Sequence, residues 1–148
     1  MKSNDQSTYT ASHDGTFFAI GLNYKKADAK IRGHFSISEA AQKSILIAAQ
    51  AMGISSLTLI STCNRTELYG FANQAKDLIK LLCEHTQGTI SQFEKVAYVH
   101  QDQQAVSHLF KVGTGLDSQI LGDFEIISQL RNSLRRSKKM GMLNVYME

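Results

Sequence analysis

The sequence predicts an α+β domain with a ferredoxin-like fold, a split βαβ sandwich whose helices pack on one face of an antiparallel sheet. Short runs of apolar, β-branched and aromatic residues indicate strands, and apolar residues three and four positions apart indicate helices. Their order along the chain is strand, helix, strand, strand, helix, strand. A chain of 148 residues is long enough to bury a core of this kind without disulfides or metals.

The four strands are expected at residues 16–22, 57–60, 66–71 and 96–100. Residues 1–15 are polar and show no apolar periodicity, so they are expected to form a disordered tail.

Two helices complete the repeat, and more helical sequence follows it. Ser36 and Glu39 have the spacing of a capping box, which is expected to begin the first helix. Asn73 is expected to begin the second, and Asp102 is expected to cap a third after the last strand. A further helical segment from about Asp117 is expected to be the start of a long connecting helix that continues to the end of the chain, as in a piece of a longer protein.

The composition narrows the class of protein. With 43% hydrophobic and 20% charged residues, and without a long apolar run or a signal-peptide pattern, the chain is expected to be cytoplasmic, with no membrane partner. Its two cysteines lie in unlike contexts and no C-x-x-C is present, so neither a disulfide nor a metal site is expected. The net charge of +3 permits an RNA partner without requiring one.

Cys63 is the first candidate for chemistry. It lies in a predicted tight connection between the second and third strands, and Arg65 would point to the same side if the chain is still extended there. A guanidinium near a thiol favours the nucleophilic thiolate, but it can instead hold a substrate carboxylate. A lone cysteine is more often a small buried hydrophobe, and Cys83, inside a helical segment, is expected to be one.

Three blocks of the sequence carry a resemblance to a known family. Residues 61–69, with the nucleophile candidate Cys63, residues 108–122 and residues 21–25 resemble the motifs of the glutamyl-tRNA reductase family. The resemblance runs from about Phe17 to the end. It implies that residues 16–148 are the family's N-terminal catalytic domain, and that its NADPH-binding and dimerisation domains are absent from this chain.

The resemblance implies a reaction. The Cys63 thiolate would attack the ester of glutamyl-tRNA to form a glutamyl thioester, which NADPH reduces in the full enzyme to glutamate-1-semialdehyde for tetrapyrrole biosynthesis. No G-x-G-x-x-G motif is present, so this chain is not expected to bind NADPH. The isolated chain is expected to be a monomer with at most thioester-forming and esterase activity, whereas the full enzyme is expected to be a homodimer through an absent C-terminal region.

The resemblance also implies roles for individual residues. It favours His108 over His100 as the histidine that assists acid–base chemistry. It makes Arg65 a clamp on the substrate carboxylate. The other substrate-binding residues that it implies are Thr62, Asn64, Ser118, Asp123, Phe124, Glu125 and Gln129.

The chain departs from the family's usual pattern in two places. Tyr24, Lys26 and Asp28 stand where the family usually has His, Thr and Pro, and Asp123-Phe124-Glu125 stands where it usually has Glu-Pro-Gln. The second departure keeps one carboxylate on a shorter arm and adds another negative charge.

A function of another class remains open on the sequence. The chain could be a non-catalytic module that binds glutamyl-tRNA or a protein partner. The basic run between Arg131 and Lys139 could contact phosphates, although a solvated helix face is the more common explanation of such a run.

Overall fold

The computed structural model describes residues 15–116 and 124–143, and for Phe124 and Glu125 it describes the backbone alone. None of the helices in this part of the chain is long and apolar enough to cross a membrane. The elements are β1 Thr16–Asn23, α1 Ala29–His34, α2 Glu39–Ala51, β2 Leu57–Ser61, β3 Arg65–Ala72, α3 Ala75–Glu84, α4 Ile90–Val96, β4 Tyr98–Gln101, α5 Gln103–Gly113 and α6 Phe124–Lys139.

The four strands form one antiparallel sheet in the order β2-β3-β1-β4. This is the order that a split βαβ repeat produces, so the predicted α+β, ferredoxin-like fold is confirmed. At one end of the sheet Asn23 pairs with Arg65 and Ser61 pairs with Thr66. The connection that contains Cys63 therefore lies at this end, beside the last residue of β1.

The first face of the sheet carries the larger core. Alternate residues of a strand point to opposite faces, and Phe18, Ile20 and Leu22 of β1 share this one. Helices α2, α3 and α4 cover it with a set of buried apolar side chains: Ile45, Leu46, Ala49, Leu78, Leu81, Leu82 and Phe93.

The second face carries a smaller core beneath α5 and α6. Phe17 and Ala19 of β1 lie on this face. They join Ile60, Tyr69, Phe71, Ala105, Val112, Ile126 and Leu130. The helices of the repeat, α2 and α3, lie on one face of the sheet, as predicted. The later helices α5 and α6 cover the opposite face.

Local boundaries differ from the prediction. Helices α1 and α4 were not expected, and each is at most seven residues long, too short to show apolar periodicity. The cap of α2 is Ser38, whose hydroxyl accepts from the Ala41 amide at 3.2 Å, so the predicted capping box at Ser36 is wrong. The reason is that the amide of buried Ile37 donates to Ser61 Oγ at 3.0 Å, which holds that residue against β2.

Asp102 occupies the predicted N-cap position of α5, but not with the expected capping bond. Asp102 precedes α5, but it has a φ of 55° and its side chain makes no capping hydrogen bond. Its amide instead donates to the Phe17 carbonyl oxygen at 2.9 Å, so its backbone is held at the end of the sheet.

The last helix was expected to continue to the end of the chain, but it ends earlier. α6 ends at Lys139, and Gly141 adopts a φ of 71°, a conformation that glycine tolerates best. The next residue, Met142, is buried in the larger core, and its carbonyl oxygen accepts from the Leu57 amide at 2.8 Å. The prediction of a continuous helix is therefore wrong over residues 140–143.

The packing of Gly88 provides a test of the larger core. A Cβ at this position would lie 2.2 Å from the ring of Phe35, which is fully buried and packs edge-on against Phe93. Gly88→Ala is expected to lower the free energy of unfolding by about 1–3 kcal/mol, because the ring has no space to move into. Urea denaturation measures the change.

Gly33→Ala is the matched control. Gly33 lies in α1, and a Cβ there would meet nothing within 4 Å. Alanine is the better helix former, so this variant should unfold at an equal or higher urea concentration than the wild type. Equal midpoints for the two variants would contradict the packing of Gly88 against Phe35.

Candidate functional site

Cys63 lies at the exposed tip of the turn between β2 and β3. The amide of Thr62 donates to the Arg65 carbonyl oxygen at 2.8 Å. The Thr62 hydroxyl accepts from the amides of Asn64, at 3.0 Å, and Arg65, at 3.2 Å. Thr62 therefore shapes the turn with its own side chain, and the turn presents Cys63 to solvent at the place that the strand pattern predicts.

Arg32 of α1 connects this turn to the one before it. Its Nε donates to the Cys63 carbonyl oxygen at 3.0 Å, and its Nη1 donates to the Ala27 carbonyl oxygen at 2.7 Å. Asp28 begins α1, because its carboxylate accepts from the Ile31 amide at 2.9 Å. Aspartate is a preferred N-cap residue, so the departure at Asp28 is compatible with the start of this helix.

Arg65 was predicted to point to the same side as Cys63, and this prediction is wrong. The chain bends at residues 63–64, so the condition of an extended backbone is not met. Cys63 is exposed, whereas Arg65 is 1% exposed and lies on the second face of the sheet. Its Nη1 lies 3.3 Å from Oε2 of Glu67, two residues along β3 on the same face. Arg65 thus forms a buried ion pair.

Glu67 is the centre of the polar cluster. Its carboxylate is completely buried and accepts from the hydroxyl of Tyr69 at 2.5 Å, the hydroxyl of Tyr98 and Nε2 of His108 at 2.5 Å, besides pairing with Arg65. Because a buried charge is costly unless it is paired and hydrogen-bonded, these four donors are what allows a carboxylate at this depth. We call Glu67, Arg65, Tyr69, Tyr98 and His108 the Glu67 cluster.

Gly21 makes room for this cluster. It lies between Tyr98 of β4 and Glu67 of β3 in the register of the sheet. A Cβ at Gly21 would lie 2.3 Å from the Thr66 carbonyl oxygen and 2.8 Å from Cγ of Glu67. The missing side chain leaves the gap across which the Tyr98 hydroxyl reaches the carboxylate.

The charges in the cluster follow from its contacts. Burial by itself raises the pKa of Glu67, but the hydrogen bond and charge of His108 and the charge of Arg65 outweigh it, so the net pKa is lowered. Burial and the neighbouring Glu67 carboxylate raise the pKa of Tyr69 well above its usual value, so its phenol stays protonated and donates. An ionised carboxylate only accepts hydrogen bonds, so Nε2 of His108 carries a proton.

The two candidate histidines lie together. The ring centroid of His100 is 4.8 Å from that of His108 and 5.2 Å from that of Tyr98. His108, the histidine favoured by the resemblance, is the one that hydrogen-bonds Glu67, and His100 packs against it.

The other implied substrate-binding residues are placed unevenly. Ser118 and Asp123 lie outside the described residues, and Phe124 and Glu125 begin α6. Gln129 lies on α6, where its buried Oε1 has no hydrogen-bond partner among the residues that the structure describes. It lines a polar cavity of about 300 Å³ together with Ile37, Glu39, Gln42, Ile60, Ser61, Asn132, Ser133 and Arg136.

A larger cavity of about 770 Å³ lies between α5, α6 and the edge of the second core. Its lining is mostly apolar and includes Phe17, Phe71 and the exposed Phe110. No residue of the Glu67 cluster lines it, so this cavity is separate from the cluster.

Sequence reasoning missed Arg32, Glu67, Tyr69 and Tyr98. A signal for Glu67 was present, because a glutamate in the middle of an apolar strand that is buried on both faces needs a partner. Its partners were not visible, since Tyr98 and His108 lie 31 and 41 residues further along the chain.

Comparison with known proteins identifies the family. Residues 20–148 match the family model described as glutamyl-tRNAGlu reductase, N-terminal domain. A glutamyl-tRNA reductase of Christiangramia forsetii is 59% identical over 140 residues, covering 95% of this chain and 34% of that protein. One from Saccharophagus degradans is 36% identical over 130 residues, covering 86% of this chain and 31% of that protein.

A solved structure agrees in fold. Glutamyl-tRNA reductase from Methanopyrus kandleri superposes with a TM-score of 0.71 at 24% identity, covering 90% of this chain and 30% of that one. The chain spans about a third of the length of the curated relatives that it matches. On these matches the chain belongs to the glutamyl-tRNA reductase family, of which it covers the N-terminal domain.

Proposed function

We propose that this chain performs the acyl-transfer half of the glutamyl-tRNA reductase reaction, with Cys63 as the nucleophile. The observation that carries the proposal is an exposed cysteine on a hydrogen-bonded turn, next in sequence to a strand whose buried Glu67 holds His108. The relatives' name, glutamyl-tRNA reductase, indicates the substrate.

The proposed step is a transesterification to sulfur. The Cys63 thiolate forms a bond to the carbonyl carbon of the ester in glutamyl-tRNA, the carbon–oxygen bond to the ribose breaks, and the ribose oxygen takes up a proton. The products are a glutamyl thioester and deacylated tRNA. A thioester is more reactive toward a hydride than an ester, because a thiolate is the better leaving group.

His108 is proposed to assist the proton transfer. The bond from its Nε2 to Glu67 selects one arrangement of the ring protons and fixes the orientation of the ring, as in other carboxylate–histidine pairs. Nδ1 is then the nitrogen that can take up a proton and pass it to the leaving ribose oxygen. Glu67 acts through His108 and is a positioning residue.

Arg65 and Gln129 are proposed to hold the carboxylate of the glutamyl side chain. Arg65 would contribute charge while Glu67 fixes its orientation, and Gln129 would contribute its amide from α6. Thr62 and Asn64 contribute indirectly, because their hydrogen bond shapes the turn.

In the full-length enzyme, NADPH would supply the hydride for the reduction that the family name implies. Within the described residues the sheet is antiparallel throughout, and the sequence has no G-x-G-x-x-G motif. The described residues do not fit a dinucleotide, so the acyl transfer proposed for them does not involve NADPH.

The proposal predicts a covalent adduct. After brief incubation with glutamyl-tRNA and an acid quench, intact-protein mass spectrometry should show one added glutamyl group on the wild-type chain. Cys83→Ser is the matched control and should keep the adduct, whereas Cys63→Ser should lose it. No adduct on a folded wild-type chain that still binds charged tRNA would contradict the proposal and favour a binding module.

The two thiols should differ in reactivity. Cys63 is exposed, whereas burial raises the pKa of the Cys83 thiol and the neighbouring Glu84 raises it further. At pH 7.5, iodoacetamide should therefore modify Cys63 roughly ten times faster than Cys83 or more, because the thiolate is the reactive form. Peptide mapping measures both rates, and equal labelling would contradict the exposed turn.

The Glu67 cluster is expected to make the free energy of unfolding depend on pH. The folded-state pKa of Glu67 is lowered below the value of about 4.3 in an unfolded chain, so its contribution is complete above that value. That contribution is lost as the pH falls through the folded-state pKa. At pH 7, Glu67→Gln should unfold more easily by about 1–3 kcal/mol, because it leaves Arg65 buried without its anion.

Urea denaturation between pH 7 and pH 3 tests this dependence. The difference in stability between the wild type and Glu67→Gln should stay constant from pH 7 to about pH 5 and narrow below about pH 4.3, where the unfolded chain takes up a proton before the folded one does. A difference that stays constant down to pH 3 would show that Glu67 is not held as a carboxylate.

A further inference from the structure

We infer that Arg32 is a positioning residue for Cys63, and that its guanidinium holds the nucleophile's turn in place for acyl transfer. The inference rests on the proposed function, since it concerns the same cysteine. It goes beyond that function in giving a role to a residue outside the motifs that identified the site.

The guanidinium joins two separate connections of the chain. One nitrogen donates to the Cys63 carbonyl oxygen at 3.0 Å, and another donates to the Ala27 carbonyl oxygen at 2.7 Å. Ala27 is 2% exposed, and its own amide donates to the Asn23 carbonyl oxygen at 3.1 Å. The second carbonyl is therefore a fixed anchor at the end of β1, and Arg32 connects the turn to it.

In the part of the chain that the structure describes, the turn itself provides no equivalent support at its tip. Its internal hydrogen bonds join Thr62 to Asn64 and Arg65 and leave out the peptide carbonyl of Cys63. Among the described residues, that carbonyl accepts from Arg32. The planar guanidinium has donors in fixed directions, so it can hydrogen-bond two fixed carbonyl oxygens at once. A lysine ammonium on its flexible stem positions two such bonds less precisely.

Replacing Arg32 should leave the hydrophobic core intact. It is half-buried on the six-residue helix α1, whose start is stabilised by Asp28. Loss of the guanidinium should therefore loosen the turn and leave the sheet intact. A cysteine that samples more positions meets the ester carbon in the reactive geometry less often, so the maximal rate falls while substrate affinity stays the same.

The first test measures the rate of glutamyl-thioester formation against glutamyl-tRNA concentration by quenched mass spectrometry. Arg32→Gln should lower the maximal rate at least about tenfold and leave the half-saturating concentration within about twofold. Lys80→Gln removes the same charge from an exposed position on α3 and should match the wild type. An unchanged maximal rate in Arg32→Gln overturns the inference.

The conservative variant separates position from charge. Arg32→Lys keeps the positive charge but cannot reproduce the two-nitrogen fork, so it should recover only a small part of the lost rate. Full recovery by lysine would overturn the positioning role, because the charge alone would then be sufficient.

A second test needs no tRNA. The amides of Asn64 and Arg65, which donate to the Thr62 hydroxyl, should exchange with solvent at least about tenfold faster in Arg32→Gln than in Lys80→Gln, at equal global stability. If exchange accelerates but the wild type forms no thioester, the proposed function is wrong and Arg32 still holds the turn. If exchange does not change, the inference is wrong.

Discussion

The structure of the site depends on one buried carboxylate. Glu67 lies in the central strand β3, and its donors come from β3 itself, from β4 through Tyr98 and from α5 through His108. An ionised group at full burial is tolerated only when its hydrogen bonds are satisfied, so each of these elements must be in register for the others to be stable. The requirement of Glu67 therefore aligns the edge strand β4 and helix α5 with the middle of the sheet.

The same requirement reaches the cysteine through Arg65. The side chain of Arg65 pairs with Glu67, while its backbone amide and carbonyl close the turn against Thr62. One end of the turn is thus fixed by the buried cluster, and Arg32 holds its tip from the other side. A side chain on a short turn between two buried strands is positioned more precisely by these two supports than it would be on a longer loop.

The sequence predicts the fold where the spacing of apolar residues within one helix or strand shows which of its residues are buried. The apolar runs of β1, β2 and β3 and the spacing in α2 and α3 give the strand order, and Cys63 falls where two buried strands meet. Interactions between distant positions were not predictable. Arg32 reaches a carbonyl 31 residues away, and Tyr98 reaches Glu67 only because Gly21 leaves a gap between them. Such contacts follow from register and turn geometry, which apolar spacing does not encode.

The two helices after the βαββαβ repeat bury the Glu67 cluster as well as completing the fold. α5 brings His108 onto the second face of the sheet, and α6 closes that face with Ile126 and Leu130. Without them the Glu67 carboxylate would be in water, where its pairing with Arg65 and His108 would be screened and weak. A sheet with helices on one face only would have the same topology. Its opposite face would be exposed to solvent, which would weaken the interaction between His108 and the Glu67 carboxylate. Burial of that second face is therefore what allows this α+β scaffold to hold an ionised carboxylate hydrogen-bonded to a histidine.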